Sequence, residues 1–369
     1  MPARVFNFSA GPSALFPEVR SVLGADVAGG ALLERASRDA EGPVVPLLHA
    51  TLRALRRVLG IPDTHSVALC HGGGLAAHAA LPLNLCRDAA DSAAFLSTGV
   101  WSDRALAEAA RFCVPHIAAA SPTRALLPTA GGWDTDPQRH RFVHFTLNET
   151  ADGREFHSDA HLADLPAGSV VVADATSTLL SRPVQWGLYD VVYASGGKNL
   201  GPVGVTVVVG RTATLQRAAA ERRRAVPAVL DWHANAEAGS ALNTPCVFAL
   251  LGLKRTLDFV ERKGGVERMQ AEALQKSTLV YNTLDDHARV FAVDAPPDCR
   301  SRMNACFKLR SPADTRDFLA AAKDAGFVGL QGHAERGGCR ATLYNAVPWT
   351  AVQRLAAFLR GYAVHSVVA

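Results

Sequence analysis

YASGGKNLGPVGVTVVV (193–209) sets a single lysine, Lys198, among glycines and small residues just ahead of a β-branched apolar run. A solubilising lysine gains nothing from glycine neighbours, because hydration needs no close backbone approach. An amine that must reach an aldehyde, sit partly desolvated and leave room for a flat ring does need such surroundings. The flanking runs, VVYAS (191–195) and GVTVVVG (204–210), read as two buried strands with the lysine between them.

Outward from this centre, SVALC (66–70), AAFLST (93–98), FVHFTL (142–147) and SVVVADA (169–175) also read as strands. Between them 74–85, 102–112 and 211–224 read as helices. Short apolar runs alternating with Ala/Leu/Arg segments indicate βαβ units, hence an α/β fold with a mostly parallel sheet flanked by helices. In 245–265, PCVFALLGLKRTLDFVERKGG, apolar residues recur at helical spacing until two glycines stop them. A long helix to about Asp286 follows, then RVFAV (289–293), MNACFKL (303–309), a helix over 314–325, CRATLYN (339–345) and a last helix from Thr350. The expected organisation is an N-terminal arm (1–15), a large domain (16–260) and a small α+β C-terminal domain (261–369).

With 369 residues, 49% hydrophobic and 20% charged, the chain can bury a sizeable core and does not belong with disordered proteins. A net charge of +4 is too small to imply nucleic-acid binding, and Arg222, Arg223 and Arg224 read as a solvated helix face. The seven cysteines form no CxxC pair, which fits reduced thiols in a cytoplasmic enzyme. MPARVFNFSAGPSALF has no signal-peptide core, and no window approaches a membrane span. Thirteen histidines are present without HExxH or Cys/His ligand spacing, so no metal is expected.

Two further stretches carry chemistry. HGGGLAAHAALPLNL (71–85) places three glycines after a strand and at a helix start, where backbone N–H groups and the helix dipole can hold a phosphate. Taken alone, the turn reads equally as a tight βα connection. It matches neither GxGxxG nor the Walker GK[ST] pattern, so nucleotide readings lose support. VVVADATSTLLSRP (170–183) ends an apolar strand in Asp174, where open α/β sheets present groups to a ligand crevice. By itself Asp174 reads equally as a cap for the next segment. A carboxylate for a pyridine nitrogen, an amine for an aldehyde and a helix N-terminus for a phosphate are together what pyridoxal-5′-phosphate (PLP) requires.

The chain then resembles, nearly end to end, the phosphoserine aminotransferase family of class V, fold-type I PLP enzymes. The matching stretches are FNFSAGPSALF (6–16), HGGG (71–74), LPLNL (81–85), TGVWS (98–102), NETADGREF (148–156), VADATSTLLSRP (172–183), GGKNLGPVGVT (196–206), LNTPCVFALLGL (242–253), SRMNACFKL (301–309) and GHAERGGCRATLYNAVP (332–348). The resemblance implies that Lys198 binds PLP as a Schiff base and Asp174 tunes its ring nitrogen. It implies further that Trp101 stacks on the ring, that Thr150 hydrogen-bonds it near the reacting carbon, and that backbone at Gly74 and Leu75 holds the phosphate. Asn243 and Thr244 would reach that phosphate from the neighbouring subunit, which implies a homodimer. Arg340 matches the arginine that grips a substrate α-carboxylate, and Arg38 and His333 match positions that bind the substrate's own phosphate.

Four positions depart from the family pattern. Gly197 stands in the cofactor-contacting position normally held by glutamine, Ser37-Arg38 and His333-Ala334 each keep half of a His-Arg pair, and Leu75 replaces an arginine found in some members. A phosphate dianion needs several charge-assisted donors to leave water, and Arg336 or Arg35 is a candidate replacement. The resemblance implies transfer of an amino group between glutamate and 3-phosphohydroxypyruvate. Alternatives are transamination of an unphosphorylated small 2-oxo acid, and a PLP lyase on the same fold, which would want a reactive cysteine where Cys339 and Cys246 read as structural.

Overall fold

The computed structural model describes all residues except 1–4, 31, 34–38, 40, 122–126, 129–131, 164 and 369. Seven strands form the central sheet: β1 (His65–Cys70), β2 (Ser92–Ser97), β3 (Val114–Ala120), β4 (His140–Thr146), β5 (Val171–Asp174), β6 (Val191–Ser195) and β7 (Thr206–Arg211). Their spatial order is β1-β7-β6-β5-β4-β2-β3. All neighbours pair in parallel except β7, which is antiparallel to both β1 and β6.

Helices cover both faces, so the central strands are apolar along their length and alternate residues feed two cores. Val172, Val191 and Tyr193 pack with Phe95, Phe142 and Leu81 on one face. Ala173, Val192 and Ala194 pack with Phe145 and with Leu253 and Leu257 of the helix Val247–Arg262 on the other.

A separate core holds Phe291, Phe307, Phe318 and Leu355 from the C-terminal third. The N-terminal arm joins this core, because Phe6 and Asn7 pair in parallel with Phe327 and Val328 and Phe8 is fully buried there. The helix Gly265–Asp286 bridges the two, with Val266 and Met269 in the large core and Val280 and Leu284 in the small one.

Most expected elements form, with shifted ends: the helix expected over 102–112 runs Val100–Ala109, and the one over 211–224 runs Thr212–Glu221. Two readings need correction. β3 was not foreseen, because an edge strand with exposed Val114 and Ile117 lacks a continuous apolar signal. RVFAV forms no strand; only Ala292 bridges to Lys308, since the chain leaves the pairing line after one exchange of hydrogen bonds. Among the described residues no helix is long and apolar enough to cross a membrane.

Candidate active site

Because β2, β4, β5 and β6 run the same way, their carboxyl ends line one rim, carrying Ser97, Thr146, Asp174 and Ser195. β7 runs the other way, so the loop from Ser195 to Thr206 is a short return at that rim and must carry Lys198 there. Asp174 pairs in register with Tyr193, five residues ahead of Lys198. The sheet therefore brings amine and carboxylate together from adjacent strand ends.

Gly197 has φ +94°, and a Cβ there would lie 2.7 Å from Val203 Cγ1. In this conformation a side chain at 197 would be strained both by the left-handed φ and by contact with Val203. Asn199 ties the loop down: its amide donates to the Ser177 carbonyl at 3.1 Å, and its oxygen accepts from Asn345 N at 3.0 Å. From the arm, Ser13 N donates to the Gly197 carbonyl at 2.9 Å.

A cavity of about 540 Å³ opens over Lys198, bounded by Trp101, Thr150, His333, Arg340 and arm residues Ser9–Pro12. The Lys198 amine lies 5.4 Å from the Trp101 ring centroid. Burial pushes its pKa down to about 8, against the opposing pull of Asp174. Asp174 is buried and behaves in the opposite sense. Burial would raise its pKa, but hydrogen bonds from His78 and Thr176 outweigh this and hold the carboxyl well below the usual range. His78 Nε2 lies 3.4 Å from Oδ2, and Thr176 N donates to Oδ1 at 2.8 Å.

Behind this pair, His144 Nε2 meets the Tyr193 hydroxyl at 2.9 Å. Burial lowers the His144 pKa to about 3, and burial with Asp174 nearby raises that of Tyr193 well above its ordinary value. Both groups are therefore neutral near pH 7, and the local charge stays on Asp174.

Trp101 is fixed by two contacts: its indole Nε1 donates to Thr150 Oγ1 at 2.7 Å, and its backbone N donates to Glu149 Oε2 at 2.9 Å. Glu149 Oε1 also accepts from Ser102 N at 2.9 Å, so one buried carboxylate satisfies the start of the helix Val100–Ala109. Burial raises the Glu149 pKa to about 7 despite these bonds.

Arg340 Nη1 donates to the Thr150 carbonyl at 3.0 Å, while its buried Nε has no hydrogen-bond partner. His333 lies edge-on to Trp101 with ring centroids 6.1 Å apart; burial, then Arg340 and Arg104, lower its pKa. Arg336, a candidate replacement for the missing cations, is committed to Asp152 at 2.6 Å, and Arg104 is paired with Glu335 at 2.6 Å.

Gly74 and Leu75 lie in the first turn of the helix Gly73–Leu85, where backbone N–H groups lack helical acceptors. Leu75 has its side chain exposed, and Asn243 and Thr244 are exposed and do not line this cavity. Arg38, with Ser37 and Arg35, lies outside the described residues.

Reading the sequence missed His78, His144, Tyr193 and Glu149, and expected the arm without placing it at the cavity. A histidine four residues after Gly74 in an otherwise Ala/Leu helix was a usable signal for His78; the others become partners only through strand pairing.

Residues 5–355 match the family model "Aminotransferase class-V". The phosphoserine aminotransferase of Burkholderia cenocepacia is 36% identical over 369 residues, covering 97% of this chain and 98% of the relative. That of Ralstonia nicotianae is 34% identical, covering 98% and 96%. Among solved structures, phosphoserine aminotransferase from Bacillus circulans subsp. alkalophilus superposes with a TM-score of 0.90 at 31% identity, covering 98% of this chain and 99% of that one. With family match, full-length relatives and fold agreeing on a chain whose sheet delivers a lysine and an aspartate to one rim, this protein is a member of the class-V aminotransferases.

Proposed function

We propose that the protein is a PLP-dependent transaminase acting on O-phospho-L-serine and 2-oxoglutarate, and in reverse on 3-phosphohydroxypyruvate and L-glutamate. The observation that carries the reading is Lys198, a partly buried amine whose desolvation lowers its pKa to about 8, beside an ionised Asp174 and near an arginine with an unpartnered Nε. The donor set suits PLP. Lys198 would hold its aldehyde, the first turn at Gly74 and Leu75 its phosphate, Trp101 its ring face, and Asp174 its pyridine nitrogen.

When bound, PLP supplies an electron-accepting ring conjugated to the reacting carbon. The Asp174 carboxylate, kept charged by His78 and Thr176, holds a proton on the pyridine nitrogen. The Lys198 amine, its pKa lowered to about 8, would take the proton from substrate Cα and deliver it to the cofactor's reacting carbon during the half-reaction. Arg340 orients the α-carboxylate with a planar guanidinium, and Thr150, by holding both the Trp101 indole and Arg340, fixes the two sides of the cavity. Asn243 and Thr244, exposed here, are assigned to the phosphate of a second copy, so the reading includes a homodimer. The cysteines are free thiols, which suits the reducing cytoplasm.

A second reading, transamination of an unphosphorylated 2-oxo acid, is favoured by one observation. Of the cations beside His333, Arg336 is already paired with Asp152 and Arg104 with Glu335, which leaves Arg340 for the α-carboxylate, and Ala334 adds no donor. Of the two cysteines a lyase reading would draw on, Cys339 is fully buried, and that burial pushes its thiol up to about 12, away from a reactive thiolate. Single-turnover half-reactions followed through the cofactor spectrum test the assignment. A preference for phosphoserine over serine and alanine of about 100-fold or more, two to three kcal/mol of phosphate recognition, supports the first reading. Equal rates overturn it in favour of the second.

A further inference from the structure

Ligand spacing along the chain gave no reason to expect a metal, yet three residues distant from the cleft converge. His116 lies in β3, His140 is the first residue of β4, and Asp134 comes from the segment between them. Backbone pairing sets them in place: Asp134 N donates to the Ala118 carbonyl at 3.1 Å, and Ser92 at the start of β2 pairs with both Val114 and His140. This is the amino end of the parallel strands. At about 3.3 Å per residue, it lies roughly 20 Å from the rim that carries Asp174.

The imidazoles of His116 and His140 stack nearly parallel, with centroids 4.8 Å apart and an interplanar angle of 9°. His116 Nε2 is 2.9 Å from Asp134 Oδ2, and His140 Nε2 is 3.9 Å from Asp134 Oδ1. His140 is 5% exposed, and its Nε2 has no hydrogen-bond partner. Its other nitrogen, Nδ1, is 2.9 Å from Ser92 Oγ. When Nδ1–H donates to that hydroxyl, Nε2 presents a buried lone pair towards the carboxylate, which is the arrangement of a metal-ligating histidine with its outer partner.

We infer that His116, Asp134 and His140 bind one divalent transition-metal ion of the zinc type, at the end of the sheet opposite the cleft. Two imidazole nitrogens and a carboxylate are a donor set such ions favour, whereas magnesium and calcium prefer oxygen ligands alone. Ligand atoms about 2.0–2.2 Å from a common ion lie within about 4.4 Å of one another. All three already lie within 4.8 Å, and side-chain shifts of about an ångström bring them to the roughly 3.5 Å spacing of tetrahedral ligands. Arg139, exposed and 3.1 Å from both Asp134 oxygens, supplies positive charge that the ion would displace. The site joins the edge strand β3 to β4 and takes no part in the reaction.

The test is a calorimetric Zn²⁺ titration, with thermal melting, of the full-length enzyme carrying its cofactor. The expected result is one ion bound per chain and a rise in melting temperature on adding Zn²⁺. His116→Ala, at a half-buried position, and Asp134→Asn should melt like the parent without zinc, lose at least about 100-fold in affinity and show no zinc-induced rise. Ser92→Ala should weaken binding by about 10–100-fold. Turnover of His116→Ala should match the parent. Absence of binding by the parent, or undiminished uptake in both ligand variants, overturns the inference.

Discussion

His78 Nε2 lies 3.4 Å from Asp174 Oδ2, both side chains buried, so a helix that begins with a glycine turn also supplies the partner of the carboxylate at the end of β5. This bond and that from Thr176 offset the cost of burying the charge. His78→Leu keeps the volume but removes the donor. With about 1.5–3 kcal/mol for a hydrogen bond to a charged group, kcat should fall about 10–100-fold with KM little changed. Steady-state kinetics on phosphoserine checks this, and an unaltered kcat refutes the role given to His78.

Lys198→Ala should lose the visible absorbance of the bound cofactor together with nearly all turnover. In the parent, the amine is protonated below about 8 and neutral above it. Reattachment of PLP to stripped enzyme needs the neutral form, so its rate should rise with pH and level off above about 8. An ordinary lysine would keep climbing towards 10.5. The folded pKa lies below the unfolded one, so the unfolded chain binds more protons across this window, and this group's contribution to the stripped protein's stability increases as pH rises through it. Stopped-flow reattachment rates between pH 6 and 10 provide the measurement.

Glu149→Ala should leave the backbone N–H groups of Trp101 and Ser102 without their acceptor. At about 1–3 kcal/mol for each buried unsatisfied donor, the loss in stability should be about 2–6 kcal/mol. Denaturant unfolding would show it as a lower midpoint, and a change below 1 kcal/mol would mean water replaces the carboxylate.

Gly197→Gln, which restores the family residue, should destabilise the chain by about 1–2 kcal/mol through the left-handed φ alone. The clash with Val203 adds to this. Combining it with Val203→Ala should recover only the steric part. A stable, fully active Gly197→Gln single variant would show that the loop relaxes readily.

Arg340→Gln should raise KM for both glutamate and phosphoserine and lower kcat/KM by about 100-fold, the worth of two hydrogen bonds to a carboxylate. A loss confined to one substrate would mean that Arg340 reads a side chain and not the α-carboxylate.

The amine, the carboxylate and the glycine turn were legible in the chain because each has a local signature: glycines around Lys198, a strand ending at Asp174, and three glycines opening the helix at Gly73. Such signals arise where the backbone itself must bend or approach closely, and that requirement is written in neighbouring residues. His144 and Tyr193 were invisible as a pair because they sit on strands that are not neighbours in the sheet. The unmatched zinc-type ligands escaped for the same reason, since His116, Asp134 and His140 meet through strand register and not through spacing.

By itself, then, the order of residues determined an α/β sheet with a lysine and an aspartate at adjacent strand ends, because apolar periodicity and glycine placement act over a few residues. Tertiary structure alone decided that β7 runs antiparallel, since a strand buried on both faces carries no mark of direction. It alone brought Phe6 of the arm against Phe327, through burial in a common core, and Ser13 against Gly197, through a backbone hydrogen bond, because both contacts join segments too far apart in the chain for any local pattern to record them.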